Sequence, residues 1–248
     1  MAEQPQRHLR ITTGTMPRYC LIPGDPARAE RIAARFDSSE ETIRNREFLG
    51  FRGTVGGVPI GVCSTGIGGP SASIALEELA NVGVDTFIRV GSAGGRQEAI
   101  PVGSLVVTAA HRGEGTSRAY LPPEFPAVAD LRVTTALIDA AAALGEQSFA
   151  GIATTRDAFH RKDQALAELL SREGGVVAAE QECAVVFIVA TVRRVRAGAV
   201  LGIDSNIFLP RKEPEEVQRL FREAEARTIG VAIKAVQLLT ERDTTNAR

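Results

Sequence analysis

A chain of 248 residues with 44% hydrophobic content can bury a full core and falls within the range of one α/β domain. Its 29 basic and 30 acidic residues leave a net charge of −1, so bulk charge recruits neither nucleic acid nor an anionic membrane surface. The first ten residues hold no apolar h-region, and no apolar run approaches the ~18 residues of a bilayer span, which points to a cytoplasmic protein without a membrane partner.

In chain order, residues 18–22 predict a strand and 26–36 a helix with proline in its first turn. Residues 50–55 and 58–64 flank Gly56-Gly57 and predict a hairpin. A helix over 70–82 leads through Gly83 into a strand over 86–90. Strands follow at 105–109, 151–154, 176–179 and 197–203, alternating with helices at 132–144, 164–171, 183–192 and 214–239. The alternation implies an α/β fold, a mixed and mostly parallel central sheet flanked by helices, in a single domain spanning 1–248. Loops at 111–125 and 206–213 are long enough to carry specificity. Only the two ends, near 1–5 and 243–248, read as disordered. Cys20, Cys63 and Cys183 sit in apolar runs without metal-ligand spacing and read as reduced core residues.

Three segments place glycines beside a hydroxyl or guanidinium where a strand ends. They are Pro23-Gly24-Asp25-Pro26-x-Arg28, Gly66-x-Gly68-Gly69-Pro70-Ser71 and Arg89-Val90-Gly91-Ser92-Ala93-Gly94. Such turns expose backbone N–H groups to an oxyanion, so with Arg28, Arg89 and Ser92 they suggest a phosphate site. Arg89 lies inside an apolar strand, where an unpaired charge is costly. Glu180-Gln181-Glu182 follows a strand and starts a helix; carboxylates there either accept both hydroxyls of a cis-diol or complement the helix dipole.

The ordered set of these segments resembles the nucleoside phosphorylase family, and within it the uridine phosphorylases, from about His8 to Leu239. Arg46-Glu47-Phe48, Cys63-Ser64-Thr65 and Glu124-Phe125-Pro126-Ala127-Val128-Ala129-Asp130 carry the match further. The resemblance implies reversible cleavage of an N-glycosidic bond by inorganic phosphate, the co-substrate, with no metal and no organic cofactor. It assigns Gly24, Arg28, Arg89 and Ser92 to phosphate, with Arg46 reaching in from a neighbouring subunit. It assigns Glu182 and the adjoining Gln181 to the ribose, His8 to the 5′-hydroxyl across a dimer interface, and Phe159 to the base. A homodimer is then the minimal unit, and three dimers make the family's hexamer.

The chain departs from that pattern in three places. Gln181 stands where the family usually carries methionine. The Gln-x-Arg pair that reads the uracil edge is absent, and Arg161 and Gln164 are the available substitutes. Ile203-Asp204-Ser205-Asn206 carries the purine branch's Ser-Asp pair in reversed order. Strand alternation aims Asp204 away from the base unless a bulge restores it. The leading expectation is a pyrimidine nucleoside phosphorylase acting on a substrate such as uridine, with Arg89, Glu182 and Asp204 as catalytic candidates. A purine nucleoside or methylthioadenosine phosphorylase, and a catalytically weakened nucleoside-binding homologue, stay open beside it.

Overall fold

The computed structural model describes residues 4–160 and 163–246. Strand β1 (Tyr19–Ile22) is buried along its whole length and feeds α1 (Pro26–Ala33). The Asp25 side chain caps this helix by accepting from the backbone N–H of Ala27 at 2.9 Å and of Arg28 at 3.2 Å. With Pro26 at the first helical turn, the cap fixes where Arg28 leaves the backbone. The helix is shorter than predicted because the chain turns into β2 (Ser38–Asn45). This strand is mostly polar and exposed, without the alternation that reveals a strand, and it forms by pairing with β3 (Phe48–Val55).

β3 and β4 (Val58–Cys63) form the expected hairpin over Gly56-Gly57, both at positive φ. Next come α2 (Gly69–Asn81), β5 (Thr86–Gly95), β6 (Leu105–Arg112), α3 (Thr116–Tyr120), β7 (Ala127–Val128), α4 (Leu131–Ala143) and β8 (Ser148–Thr155). The chain ends with α5 (Gln164–Arg172), β9 (Ala178–Glu180), α6 (Cys183–Arg193), β10 (Arg196–Asn206) and α7 (Pro214–Asn246). Residues 243–246, expected to be disordered, thus continue the last helix. Asp243 is one reason: it accepts from Tyr19 Oη at 2.7 Å and from Arg196 Nη1 at 2.9 Å.

The strands run in the order β10-β6-β8-β9-β5-β1-β4-β3-β2, and a further pairing of β10 with β5 closes the first five into a ring. The sheet is mixed. β1 pairs in parallel with β4 and β5, β5 with β10, and β8 with β6 and β9. Antiparallel pairing is confined to the β2-β3-β4 hairpins and to the β10–β6, β5–β9 and β6–β7 contacts. Two apolar cores lie about the sheet, one built on α2 and α6 and the other on α1, α4 and α7. All three cysteines are buried and unpaired, and burial pushes the Cys63 thiol up to about 12. No described helix is long and apolar enough to cross a membrane.

Strand β5 positions the site. It pairs with β10 along its whole length, which is why it continues through Gly91, Gly94 and Gly95, where the sequence reads as a loop. On its other side β1 accompanies it only as far as Arg89, and β9 joins it only at Gly94. Between them the two neighbours diverge and leave a fork. Ligands in parallel-rich sheets bind where neighbouring connections diverge in this way.

Candidate active site

A cavity of about 790 Å³ opens at this fork. Gly24, Arg28, Arg89, Ser92, Phe159, Gln181, Glu182 and Asp204, all singled out in the sequence, line it. They come from the end of β1, the start of α1, β5, the loop after β8, the β9–α6 junction and the end of β10.

Arg89 is buried, and its charge is held by two carboxylates. Nε donates to Glu180 Oε2 at 3.0 Å, and Nη2 donates to Glu182 Oε2. Burial opposes its charge, but Glu182 and Glu180 outweigh that and hold the guanidinium above its ordinary value. Its third nitrogen, Nη1, is buried with no hydrogen-bond partner. A Cβ added to Gly24 would stand 4.0 Å from that nitrogen, and one on Gly91 would stand 3.0 Å from the guanidinium carbon. The two glycines keep the approach to Arg89 clear.

Arg28 enters from α1. Nε donates to Glu225 Oε2 at 2.9 Å, Nη1 donates to the Val90 carbonyl at 3.1 Å, and the group lies 5.6 Å from the centre of the Phe221 ring. Glu225 also accepts from Arg31 at 2.5 Å. This anchoring fixes Arg28 against the strand that carries Arg89, so two guanidiniums face one space.

Glu180 is consumed structurally. It accepts from Arg89, from Thr155 Oγ1 at 2.6 Å, and from the backbone N–H groups of Glu182 at 2.8 Å and Cys183 at 3.0 Å. Of the two acids that sequence reading offered to a diol, only Glu182 keeps accepting capacity. Its Oε1 accepts from the Gly68 N–H at 2.6 Å, and further lone pairs remain. Burial raises the Glu182 pKa above the usual glutamate value, with Arg89 opposing the rise. Gly68 sits at φ +87° at the start of α2, a conformation that suits glycine and turns this N–H toward the acid.

Asp204 corrects the expectation from strand alternation. The register of β10 against β5 runs Ile203 to Ala93 and then Ser205 to Gly94, so Asp204 is an extra residue in a bulge. The bulge breaks the period of two and brings both Asp204 and Ser205 to the cavity wall. Ser205 Oγ donates to Asp204 Oδ1 at 2.9 Å. Burial raises the Asp204 carboxyl above the ordinary aspartate value, against the pull of Ser205, Arg28 and Arg96.

Other predicted residues lie elsewhere. Gln164 is on the exposed first turn of α5, where it donates to Glu168 at 2.7 Å; the Asp163 cap turns it away from the cavity. Arg161 lies outside the described residues. His8 and Arg46 do not line the cavity of their own chain. His8 Nδ1 stands 2.7 Å from Glu78 Oε1, and the Asn45 side chain donates to the His8 carbonyl at 2.8 Å. Arg46 is exposed in the β2–β3 turn at φ +56°. Both act electrostatically on Glu47, a wall residue that accepts from Ser71 at 2.8 Å, so they gather at one rim. Phe159 is 64% exposed, so core packing does not explain it. Gln181 ties the junction to the loop after β8 by donating to the Asp157 carbonyl at 3.4 Å.

Sequence reading gave no site role to Arg96, Arg156, Glu47 or Ser205, which also line the cavity. Arg96 follows two glycines and so reads as a loop; the only signal was its place seven residues past the buried Arg89 of the unfinished strand. Among the described residues, no group of three or more His, Cys, Asp or Glu is placed to hold a metal ion.

A family model described as "Phosphorylase superfamily" matches residues 18–237. A uridine phosphorylase of Treponema pallidum is 39% identical over 95% of both chains. One from Thermococcus kodakarensis is 40% identical over 98% of this chain and 91% of its own. A guanosine phosphorylase of Halorubrum lacusprofundi is 38% identical over 90% of this chain and 96% of its own. In three dimensions, the crystal structure of a uridine phosphorylase from Vibrio fischeri superposes with a TM-score of 0.88 at 27% identity, covering 95% of this chain and 98% of that one. A purine nucleoside phosphorylase from Toxoplasma gondii, in complex with immucillin-H, superposes at 0.85 and 28% identity, covering 98% and 99%. With the fork, the paired guanidiniums and the acid at the β9–α6 junction in place, this chain belongs to the phosphorylase superfamily.

Proposed function

We propose that the chain catalyses phosphorolysis of a nucleoside, taking a pyrimidine ribonucleoside such as uridine to free base and ribose 1-phosphate. The observation that carries this reading is Arg89 Nη1, a buried guanidinium nitrogen without a partner in the same cavity as Arg28, Gly24 and Ser92. A buried donor left unpaired costs free energy, and a phosphate oxygen relieves that cost.

Phosphate is held by Arg28, Arg89, Ser92 and the Gly24 N–H, in line with C1′ of the sugar. Its oxygen forms the new bond to C1′ as the bond to the base nitrogen breaks, and that electron pair leaves with the base. Glu182 accepts from ribose hydroxyls with its remaining lone pairs, and Gln181 flanks the sugar. Phe159 stacks on the base. The gain lies in orientation and in charges fixed before reaction begins. Phosphate serves as co-substrate and no organic cofactor is required.

His8 and Arg46 complete a neighbouring copy's site in this reading, which makes a homodimer the minimal unit and a hexamer of dimers the full assembly. Their joint place at the rim, outside their own cavity, supports it. One sheet running through the chain supports a single domain over 1–248, and three reduced, buried cysteines support a cytoplasmic setting.

Asp204 favours a second reading. A buried carboxyl with a raised pKa at the cavity wall suits protonation of a purine ring nitrogen, the task of an acid in 6-oxopurine phosphorolysis. Release of free base from uridine, thymidine, inosine, adenosine and methylthioadenosine, with and without phosphate, tests both readings. Phosphate-dependent release of uracil is the expected result; preferential release of hypoxanthine moves the assignment to the purine branch, and absence of release from every nucleoside overturns it.

A further inference from the structure

Arg28 and Arg89 reach the cavity with their charges already met by Glu225, Glu180 and Glu182. Arg96 does not. It belongs to the cavity wall and is only 8% exposed. Its Nη1 donates to the Gly95 carbonyl at 3.2 Å, and among the described residues the guanidinium forms no ion pair. Burial and repulsion from Arg156, which has a partner of its own, push its pKa down, with Asp204 pulling the other way. A desolvated guanidinium without a carboxylate is costly unless a bound group brings negative charge to it.

The charge lies on the base side. Ser92 and Gly94 are the two partly exposed residues of β5 and, being two apart, share its cavity face. A Cβ added to Gly94 would stand 3.2 Å from Arg96 Nη1 and 3.0 Å from Ser205 Oγ. The guanidinium thus folds back over Gly94, beyond Ser92, in the part of the wall that also holds Ser205 and Asp204. Its backbone is anchored there, because the Arg96 N–H donates to the Val177 carbonyl at 2.9 Å.

We propose that Arg96 is a catalytic residue, donating to a carbonyl oxygen of the base and holding the negative charge that gathers there as the glycosidic bond breaks. This rests on the nucleoside phosphorylase reading above. When the phosphate oxygen bonds to C1′, the electron pair of the C1′–N bond stays on the ring and spreads onto its carbonyl oxygens; the ring then takes its proton from water. The bound nucleoside carries a neutral base and the departing ring is an anion, so its attraction to Arg96 strengthens as the reaction proceeds. An interaction of that kind raises kcat rather than lowering KM.

The test is phosphorolysis of uridine, 5-fluorouridine and 5-nitrouridine, whose departing rings are progressively less basic and hold the charge progressively better unaided. Arg96→Gln is expected to lower kcat on uridine by about 10² and on 5-nitrouridine far less, with the nucleoside KM little changed. Arg96→Lys, which keeps a cation, is expected to recover part of the uridine rate. Equal losses on all three substrates, or an unchanged uridine rate, overturns the role. Calorimetric titration in saturating phosphate reads the same charge on the wild type, whatever the folding of the variants: 5-nitrouracil, an anion at neutral pH, is expected to bind about tenfold more tightly than neutral uracil, and equal binding overturns the role. Uridine turnover by a wild type that fails these contrasts defeats the Arg96 role alone, whereas no phosphorolysis of any nucleoside defeats the parent assignment and the role with it.

Discussion

Replacing Arg89 with methionine separates its structural and functional roles. The guanidinium is 4% exposed and is the shared partner of Glu180 and Glu182, both also buried. Without it two carboxylates face each other with no cation between them. Removing one side of a buried ion pair costs about 3–5 kcal/mol. For a chain of this size that lowers the unfolding temperature by about 6–20 °C, at roughly 2–4 °C per kcal/mol. The deficit depends on pH with a definite sign. Burial and the like charge of Glu180 raise the folded-state pKa of Glu182 above its unfolded value. The folded variant therefore binds protons more tightly than the unfolded chain, and the deficit grows as pH rises through the raised value and shrinks toward the ordinary glutamate range. Phosphorolysis should fall by about 10²–10³, the usual effect of losing one preorganised donor at a developing or bound oxyanion. Thermal unfolding at pH 5 and pH 8, with base release followed in parallel, reads both effects. Adding Glu180→Gln and Glu182→Gln to the variant should recover most of the stability and none of the activity. A fall in unfolding temperature below about 3 °C, or one equal at both pH values, would refute the electrostatic account of this junction.

The other predictions are shorter. Glu225→Gln loosens Arg28: the KM for phosphate is expected to rise several-fold while that for nucleoside holds, and an unchanged phosphate KM would show that Arg28 needs no anchor. Partial burial opposes the Glu225 charge, but Arg31 and Arg28 hold its pKa below the usual value. The stability it contributes is thus present above the ordinary glutamate range and lost as pH falls through the depressed value. Asp204→Asn should stabilise the protein above the raised Asp204 pKa, with the gain vanishing below the ordinary aspartate range. Were the second reading correct, it would lower inosine phosphorolysis by about 10²–10⁴ and uridine phosphorolysis far less; equal losses on both would remove Asp204 from base discrimination. Phe159→Ala should leave thermal stability almost unchanged, because the ring is largely exposed, yet raise the nucleoside KM by about 1–3 kcal/mol of lost stacking. A large drop in unfolding temperature with an unchanged KM would return Phe159 to a packing role.

The sequence by itself determined the α/β alternation, the Gly56-Gly57 hairpin, the capped start of α1 and the cluster of Gly24, Arg28, Arg89, Ser92 and Glu182. These are local facts: turn glycines, caps and apolar periods act within a few residues, and an arginine inside an apolar strand advertises a partner wherever the partner lies. Tertiary structure alone decided the rest. Polar β2 became a strand only through pairing with β3, and β5 ran on through its glycines because β10 accompanies it to the end. The bulge at Asp204 arises from the register between β10 and β5, which no alternation rule within one strand can reveal. Glu180 and Glu182 were indistinguishable as residue types until Thr155, two backbone N–H groups and Arg89 filled the lone pairs of the first and left those of the second. Arg96 and Arg156, 60 positions apart in the numbering, come to the same cavity wall only once the chain has folded. Register, closure and the accounting of buried donors and acceptors join residues distant in sequence, and their energies exist only once the chain has folded.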